Sequence, residues 1–400
     1  MLKTLSLAER VRQLHPSPTM AIDSKAKSLI AEGKDVVNFG AGEPDFDTPE
    51  NIRQAAITAI NHGQTRYTAV GGIEALKAAI QERIRLDTGL EYHSDEILVS
   101  VGAKHSLYNA IMALVDPQDG VLLPVPYWVT YPEQIALAGG VAQYVVSDPK
   151  QEGAVHAEDI ANVLTDRSRG LLLNSPSNPS GAVINPPALA QIARLVSERD
   201  LWVISDEIYN RLVYDDATHV SIASFPGMRE RTILINGVSK SYAMTGWRIG
   251  YAAGPQHIIK AMTSLQSQST SNPSTMAQYA ALEALTGPQE QVEVMRREFD
   301  RRRQYIVGRI NQISGLSLDN PKGAFYVWVN MAAYKNRKVG GRLIKNADDL
   351  ALVWLEQANV AVVPGSGFGM PEYFRISYAT SMERIETGLN RMQSLLESTQ

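Results

Sequence analysis

The chain of 400 residues carries 38 Lys and Arg against 42 Asp and Glu, a formal net charge of −4, with 44% apolar and 20% charged residues. These figures exclude a disordered, collagen-like or coiled-coil chain and exceed what one hydrophobic core organises, so two domains are expected. The slightly acidic balance argues against nucleic acid or an anionic membrane as the main partner, and the absence of cysteine excludes disulfides, thiolate catalysis and Cys-ligated zinc.

In chain order, Leu5, Leu7, Val11 and Leu14 suit a short amphipathic helix, and the opening residues lack the long apolar stretch of a secretory signal. No apolar run approaches the roughly 18 residues of a membrane helix, so a cytoplasmic enzyme is expected. From about residue 95 to 255, strand-like runs at 97–101, 120–123, 141–146, 170–174, 201–205 and 232–236 alternate with helix-like stretches at 103–114, 128–138, 157–164 and 187–199. Short apolar strands between amphipathic helices are the pattern of a mostly parallel α/β sheet covered on both faces. Beyond Gly254 long helical stretches such as 288–313 enclose fewer strands, at 324–329, 360–363 and 374–377. The texture predicts a large domain over residues 46–285. A smaller α+β domain follows, built from 1–45 and 286–400, with a ligand cleft between the two.

Several familiar sites are excluded. Gly40-Ala41-Gly42 follows a strand-like run, but Asp45 stands where a dinucleotide fingerprint needs its third glycine, and Glu43-Pro44-Asp45 cannot open a helix. No Walker-type loop is present. The seven His are scattered without a pair at helical ligand spacing, so no metal site is expected. The basic run 296–303 contains Glu298 and Asp300 and reads as a solvated helix face.

Three segments carry chemistry. In Asn236-Gly-Val-Ser-Lys-Ser-Tyr242, Lys240 follows a strand end, and Arg248 comes eight residues later. A lysine buried there is costly unless its charge is removed or paired, and Schiff-base formation removes it. Ser239, Ser241 and Arg248 suit a nearby phosphate. These residues alone also fit a surface loop. Asp206 ends an apolar strand with Tyr209 three residues on, a position suited to a cationic ring nitrogen or, equally, to a helix cap. The turn-rich stretch 174–181 exposes Asn178, which by itself reads as a plain loop.

Taken together, the chain resembles the fold-type-I pyridoxal-phosphate aminotransferases of the aspartate aminotransferase family, in its bacterial branch. The resemblance rests on six ordered segments: 41–46 (Ala-Gly-Glu-Pro-Asp-Phe), 102–104 (Gly-Ala-Lys), 174–181, 205–209 (Ser-Asp-Glu-Ile-Tyr), Ser239-Lys240 with Arg248, and 374–379 (Phe-Arg-Ile-Ser-Tyr-Ala). It implies a seven-stranded sheet and a small domain that closes over the substrate. It further implies a homodimer with shared active sites that transfers the amino group of L-aspartate to 2-oxoglutarate by a ping-pong mechanism.

The resemblance also assigns roles. Lys240 would be the Schiff-base lysine and proton carrier, Asp206 would hold the pyridinium proton, and Tyr209 and Asn178 would bond the ring's phenolic oxygen. Trp128 would stack on the ring. Gly102, Ala103, Lys104, Ser239 and Arg248 would form the phosphate cup at a helix N-terminus, and Tyr67 would reach the phosphate of the neighbouring subunit. Arg375 would pair with the substrate α-carboxylate beside Gly42, and Lys104 would meet a distal carboxylate. This sequence departs from the family at Ala103, His15 and Ser180. The alternatives are a relative preferring aromatic, prephenate or other donors, a lyase using the same cofactor, or a non-enzymatic ligand-binding regulator. The last needs an added DNA-binding domain, for which the 41 residues before Gly42 are too few.

Overall fold

The computed structural model describes residues 5–14, 18–147 and 154–398. The position of His15 lies outside them. Seven strands form the central sheet: β1 (Ile97–Val101), β2 (Gly120–Val125), β3 (Val141–Val146), β4 (Ser168–Asn174), β5 (Trp202–Asp206), β6 (Thr232–Gly237) and β7 (Ile249–Ala253). Their spatial order is β1-β7-β6-β5-β4-β2-β3, with β7 antiparallel to both neighbours and the remaining pairs parallel.

Alternation along each strand sorts side chains to two faces. Leu123, Leu172, Ile204 and Ile233 meet Leu107, Ile111, Ile259 and Met262 of helices Ala103–Leu114 and Gln256–Ser267. Leu122, Leu171 and Val203 face the other way, onto Leu189, Ile192 and Val196 of helix Pro186–Glu198. That helix starts where its sequence directs: Asn185 accepts from the Ala188 amide at 2.8 Å, and two prolines fill the first turn.

The expected strands recur within about two residues of their ends, except that the run 360–363 divides into Val360–Ala361 and Val363–Pro364 in different sheets. One strand, β7, does not stand out in the sequence. Its Ile-Gly-Tyr-Ala-Ala has weak strand propensity, and the reason is steric. Gly250 lies against the turn after β1, where an added Cβ would come within 2.1 Å of the Ala103 amide nitrogen. The backbones touch, so no side chain fits there.

Two helices differ from expectation. The N-terminal amphipathic helix shrinks to Glu9–Arg12, with Leu5 97% and Leu7 64% exposed, because nothing in the single chain offers these side chains a core. The helix expected over 128–138 begins at Thr130. Before it the chain runs along the cleft rim, where the Tyr127 amide bonds the Phe368 carbonyl.

A second, antiparallel sheet comprises β8 (Ser317–Leu318), β9 (Tyr326–Asn330), β10 (Val363–Pro364) and β11 (Tyr373–Ser377), in the order β10-β11-β9-β8. Its core includes Phe299 and Ile306 of helix Glu290–Ile310 and Leu389 and Met392 of helix Met382–Glu397. Val37–Asn38 pairs in parallel with Val360–Ala361, which carries the following strap, residues 40–48, across to the central sheet. Among the described residues no helix is long and apolar enough to cross a membrane.

This topology collects loops at one edge. Gly102 follows β1, Trp128 follows β2, Asn178 follows β4, Asp206 ends β5 and Lys240 follows β6. Ligands of open α/β sheets bind outside these carboxyl ends. Substituting Gly250 by Ala forces two backbones apart next to that edge, and we expect it to lower unfolding free energy by about 2–4 kcal/mol. Urea denaturation checks this, and an unchanged midpoint contradicts the contact.

Candidate active site

The residues singled out from the sequence, except Gly102, Ser241 and Tyr67, line one cavity of about 1090 Å³ between the two sheets. Gly102 lies directly beneath its wall. It adopts φ 81° before helix Ala103–Leu114, and an added Cβ would fall 2.6 Å from Nη2 of Arg248. The helix N-terminus therefore stays bare under a guanidinium, with Ser239 buried beside it, an arrangement suited to an anion. Arg248 is itself left-handed (φ 57°) and donates from Nη1 to the Thr245 carbonyl at 2.9 Å. Tyr67 is 92% exposed and lies outside this chain's own cavity.

At the cleft floor, Asp206 is 3% exposed. Its Oδ2 accepts from the Tyr131 hydroxyl at 2.8 Å and its Oδ1 from the Ile208 amide at 3.2 Å. Burial outweighs these bonds and pushes its pKa up to about 6. The strand end that carries it is locked by the next residue. Buried Glu207 accepts from Ser205 Oγ at 2.8 Å and Ser221 Oγ at 2.7 Å, and meets His219 Nε2 at 2.9 Å.

Lys240 donates from Nζ to the Gly42 carbonyl at 2.5 Å. Desolvation lowers its pKa to about 8, against a smaller upward pull from Glu43. The neutral amine, a nucleophile and a base, is thus accessible near physiological pH. The Tyr209 hydroxyl lies 2.9 Å from that of Tyr326.

Opposite them stands Arg375, 2% exposed. Nη1 donates to Asn178 Oδ1 at 2.9 Å and Nη2 to the Gly40 carbonyl at 2.8 Å. Its guanidinium lies 4.4 Å from the centroid of the Tyr326 ring, and Nε is buried without a partner among the described residues. Burial lowers its pKa, and no carboxylate pairs with it among those residues. A buried cation so placed is completed by an anionic ligand.

Water reaches Lys104 through the cleft mouth, yet the walls desolvate it enough to lower its pKa, and repulsion from Arg248 adds to this. Its ammonium sits 4.6 Å from the centroid of Trp128. Trp128 in turn packs edge-on to Tyr131, with centroids 5.4 Å apart. No group of three or more metal-binding side chains gathers among the described residues.

The geometry adds contacts to two of these residues. Asn178 lines the cavity and gives its oxygen to Arg375. Gly42 lines the same cavity, its carbonyl receiving Lys240 while that of Gly40 receives Arg375. Two residues went unassigned in the sequence. Tyr131 lies three positions after Trp128, a helical spacing that could have marked it. Tyr326 carries no local signal; the pairing of its strand with the strand that bears Arg375 is what brings it to the site.

Residues 34–392 match the family described as aminotransferase class I and II. The aspartate aminotransferase of Bacillus sp. (strain YM-2) is 48% identical over 392 residues, 98% of this chain and 99% of that protein. The aspartate/prephenate aminotransferase of Cereibacter sphaeroides is 44% identical over 97% of this chain and 98% of its own length. Among solved structures, the aspartate aminotransferase from Rhizobium meliloti superposes with a TM-score of 0.95 at 42% identity, over 98% of this chain and 99% of that one.

The depressed pKa of Lys240 can be read directly. Acylation of its Nζ in the cofactor-free protein, followed by peptide mass spectrometry, should accelerate about tenfold per pH unit up to about 8 and then level off. A rate still climbing toward the ordinary lysine value of 10.5 would show that the cleft leaves the amine unperturbed.

Proposed function

The chain belongs to the class I and II aminotransferases, and on that footing we propose that it moves the amino group of L-aspartate to 2-oxoglutarate. The products are oxaloacetate and L-glutamate, formed in a ping-pong sequence with pyridoxal phosphate as cofactor. One observation carries the reading. A single cleft combines a lysine with lowered pKa, a buried acid met by neutral donors, a buried guanidinium with no carboxylate partner among the described residues, and a second cation, Lys104.

The residues fit pyridoxal phosphate. A pyridinium proton would relieve the desolvated carboxylate of Asp206, and the bare helix N-terminus with Ser239 and Arg248 suits a phosphate. When bound, this cofactor supplies an electron-withdrawing ring that stabilises negative charge at the substrate Cα.

The rest is done by side chains. Lys240 Nζ, neutral at mildly alkaline pH, would accept the substrate Cα proton and pass it on to the cofactor. Arg375 grips the α-carboxylate through a planar fork, and Lys104 draws the distal carboxylate to the opposite wall. Trp128, Tyr209 and Asn178, which line the same cleft, would hold the cofactor ring. Residues 46–285 then serve as the large domain, with 1–45 and 286–400 closing over the substrate. Exposed Tyr67 reaches the site of a second copy, making a cytoplasmic homodimer.

A wider substrate range has its own support. Beyond Trp128 the cavity continues along Leu137, Val141 and Tyr144, where Tyr127 stacks on Tyr144 with centroids 5.2 Å apart. That wall has room for a bulky donor or acceptor such as prephenate.

Titrating the visible absorption band of the purified, cofactor-loaded protein with L-aspartate and, separately, L-phenylalanine distinguishes the readings. We expect aspartate to discharge the band at much lower concentration. An equal or better response to phenylalanine discards aspartate as the main substrate. In the Lys240→Ala variant the band and turnover should vanish while the circular dichroism stays native. Lys104→Ala should cost about 10- to 100-fold in kcat/KM with aspartate and glutamate but little with aromatic donors. An equal loss with aromatic donors contradicts the role given to Lys104.

A further inference from the structure

Tyr326 opens β9 and is fully buried. In the antiparallel register Trp328 stands opposite Arg375 and Tyr326 opposite Ser377. Residues two apart share a face, so Tyr326 is the diagonal neighbour of Arg375 on the cleft side of the sheet. Three segments of the active cleft converge on this one side chain. Its ring face lies 4.4 Å from the Arg375 guanidinium. Its hydroxyl stands 2.9 Å from that of Tyr209. A Cβ on Gly42, whose carbonyl receives Lys240, would sit 3.4 Å from the same oxygen.

Packing alone accounts for neither contact. Phe325 packs against the Tyr326 ring with centroids 4.7 Å apart, and a phenylalanine at 326 would keep such a contact without burying a hydroxyl. The guanidinium, with no carboxylate partner among the described residues, takes part of its electrostatic compensation from aromatic faces, with Phe368 5.4 Å away as the second.

We infer that Tyr326 is a positioning residue for amino transfer, its ring aligning Arg375 for a carboxylate and its hydroxyl orienting the hydroxyl of Tyr209. The inference rests on the aminotransferase reading above and adds a residue to it. The two halves of the side chain do separable work. We place the donor of this pair on Tyr326, which leaves the proton of Tyr209 for an acceptor in the cleft. The ring face, in contrast, acts on substrate affinity through Arg375.

Two variants separate the halves, each loaded with pyridoxal phosphate and checked by thermal unfolding for a native fold. Tyr326→Phe keeps the ring and removes the hydroxyl. We expect kcat to fall about tenfold, KM for aspartate to stay within about threefold, and the pH midpoint of the visible band to rise by about half a unit. Tyr326→Leu also removes the ring, and the Kd for the dicarboxylate maleate should rise about tenfold or more above that of the Phe variant. An unchanged band midpoint and kcat in the Phe variant overturn the role of the hydroxyl. Equal maleate affinity in the Leu and Phe variants overturns the role of the ring. Wild-type protein that takes up no pyridoxal phosphate would overturn the functional reading instead, while maleate binding would still decide what the ring does for Arg375.

Discussion

Arg375 keeps a guanidinium almost wholly out of water, with an amide oxygen, a backbone carbonyl and two aromatic faces around it. Isolating an ion in this way costs several kcal/mol, even after relaxation. Much of the architecture can be read as the means of tolerating that cost. Asn178 comes from the exit of β4, Tyr326 from β9 and Gly40 from the strap that follows the Val37–Asn38 pair. The cation therefore joins the central sheet, the second sheet and the N-terminal segment at one point. A carboxylate arriving there gains a charge partner that the fold has already desolvated and oriented.

The strap makes that orientation common to both reactive cations, because its carbonyls at Gly40 and Gly42 take Arg375 and Lys240 two residues apart. Its far end is held in turn. Asp45 meets Arg302 at 2.7 Å, Glu43 accepts from Thr245 at 2.7 Å, and Thr48 donates to the Ala243 carbonyl at 2.6 Å. Across the floor, burial raises Asp206 to about 6 and lowers Lys240 to about 8. Both groups thereby approach neutrality from opposite sides, which is what proton transfer near physiological pH requires.

Legibility in the sequence followed the range of the physics. The strands of the central sheet are short apolar runs bounded by turn residues, and five of the loops that build the site leave their carboxyl ends. Elements with a strong local signature could therefore be read along the chain, Lys240 and Asp206 among them. β7 does not stand out along the chain because close contact with the Ala103 backbone requires glycine at 250, which interrupts the strand signature. The N-terminal helix was overextended because apolar spacing says nothing about whether a core exists to receive it.

The sequence by itself determined the alternation of elements, the positions of the reactive side chains at strand ends and the family they resemble. These depend on local propensity, on hydrophobic period and on motifs a few residues long. Tertiary structure alone decided which oxygen holds which cation. That Gly40 rather than Gly42 meets Arg375, that Asn178 turns its oxygen to the same guanidinium, and that Tyr131 and Tyr326 belong to the site all follow from contacts spanning tens to hundreds of residues. The pKa values at the site also belong to the folded state, because desolvation is set by everything that surrounds a group rather than by its neighbours in sequence.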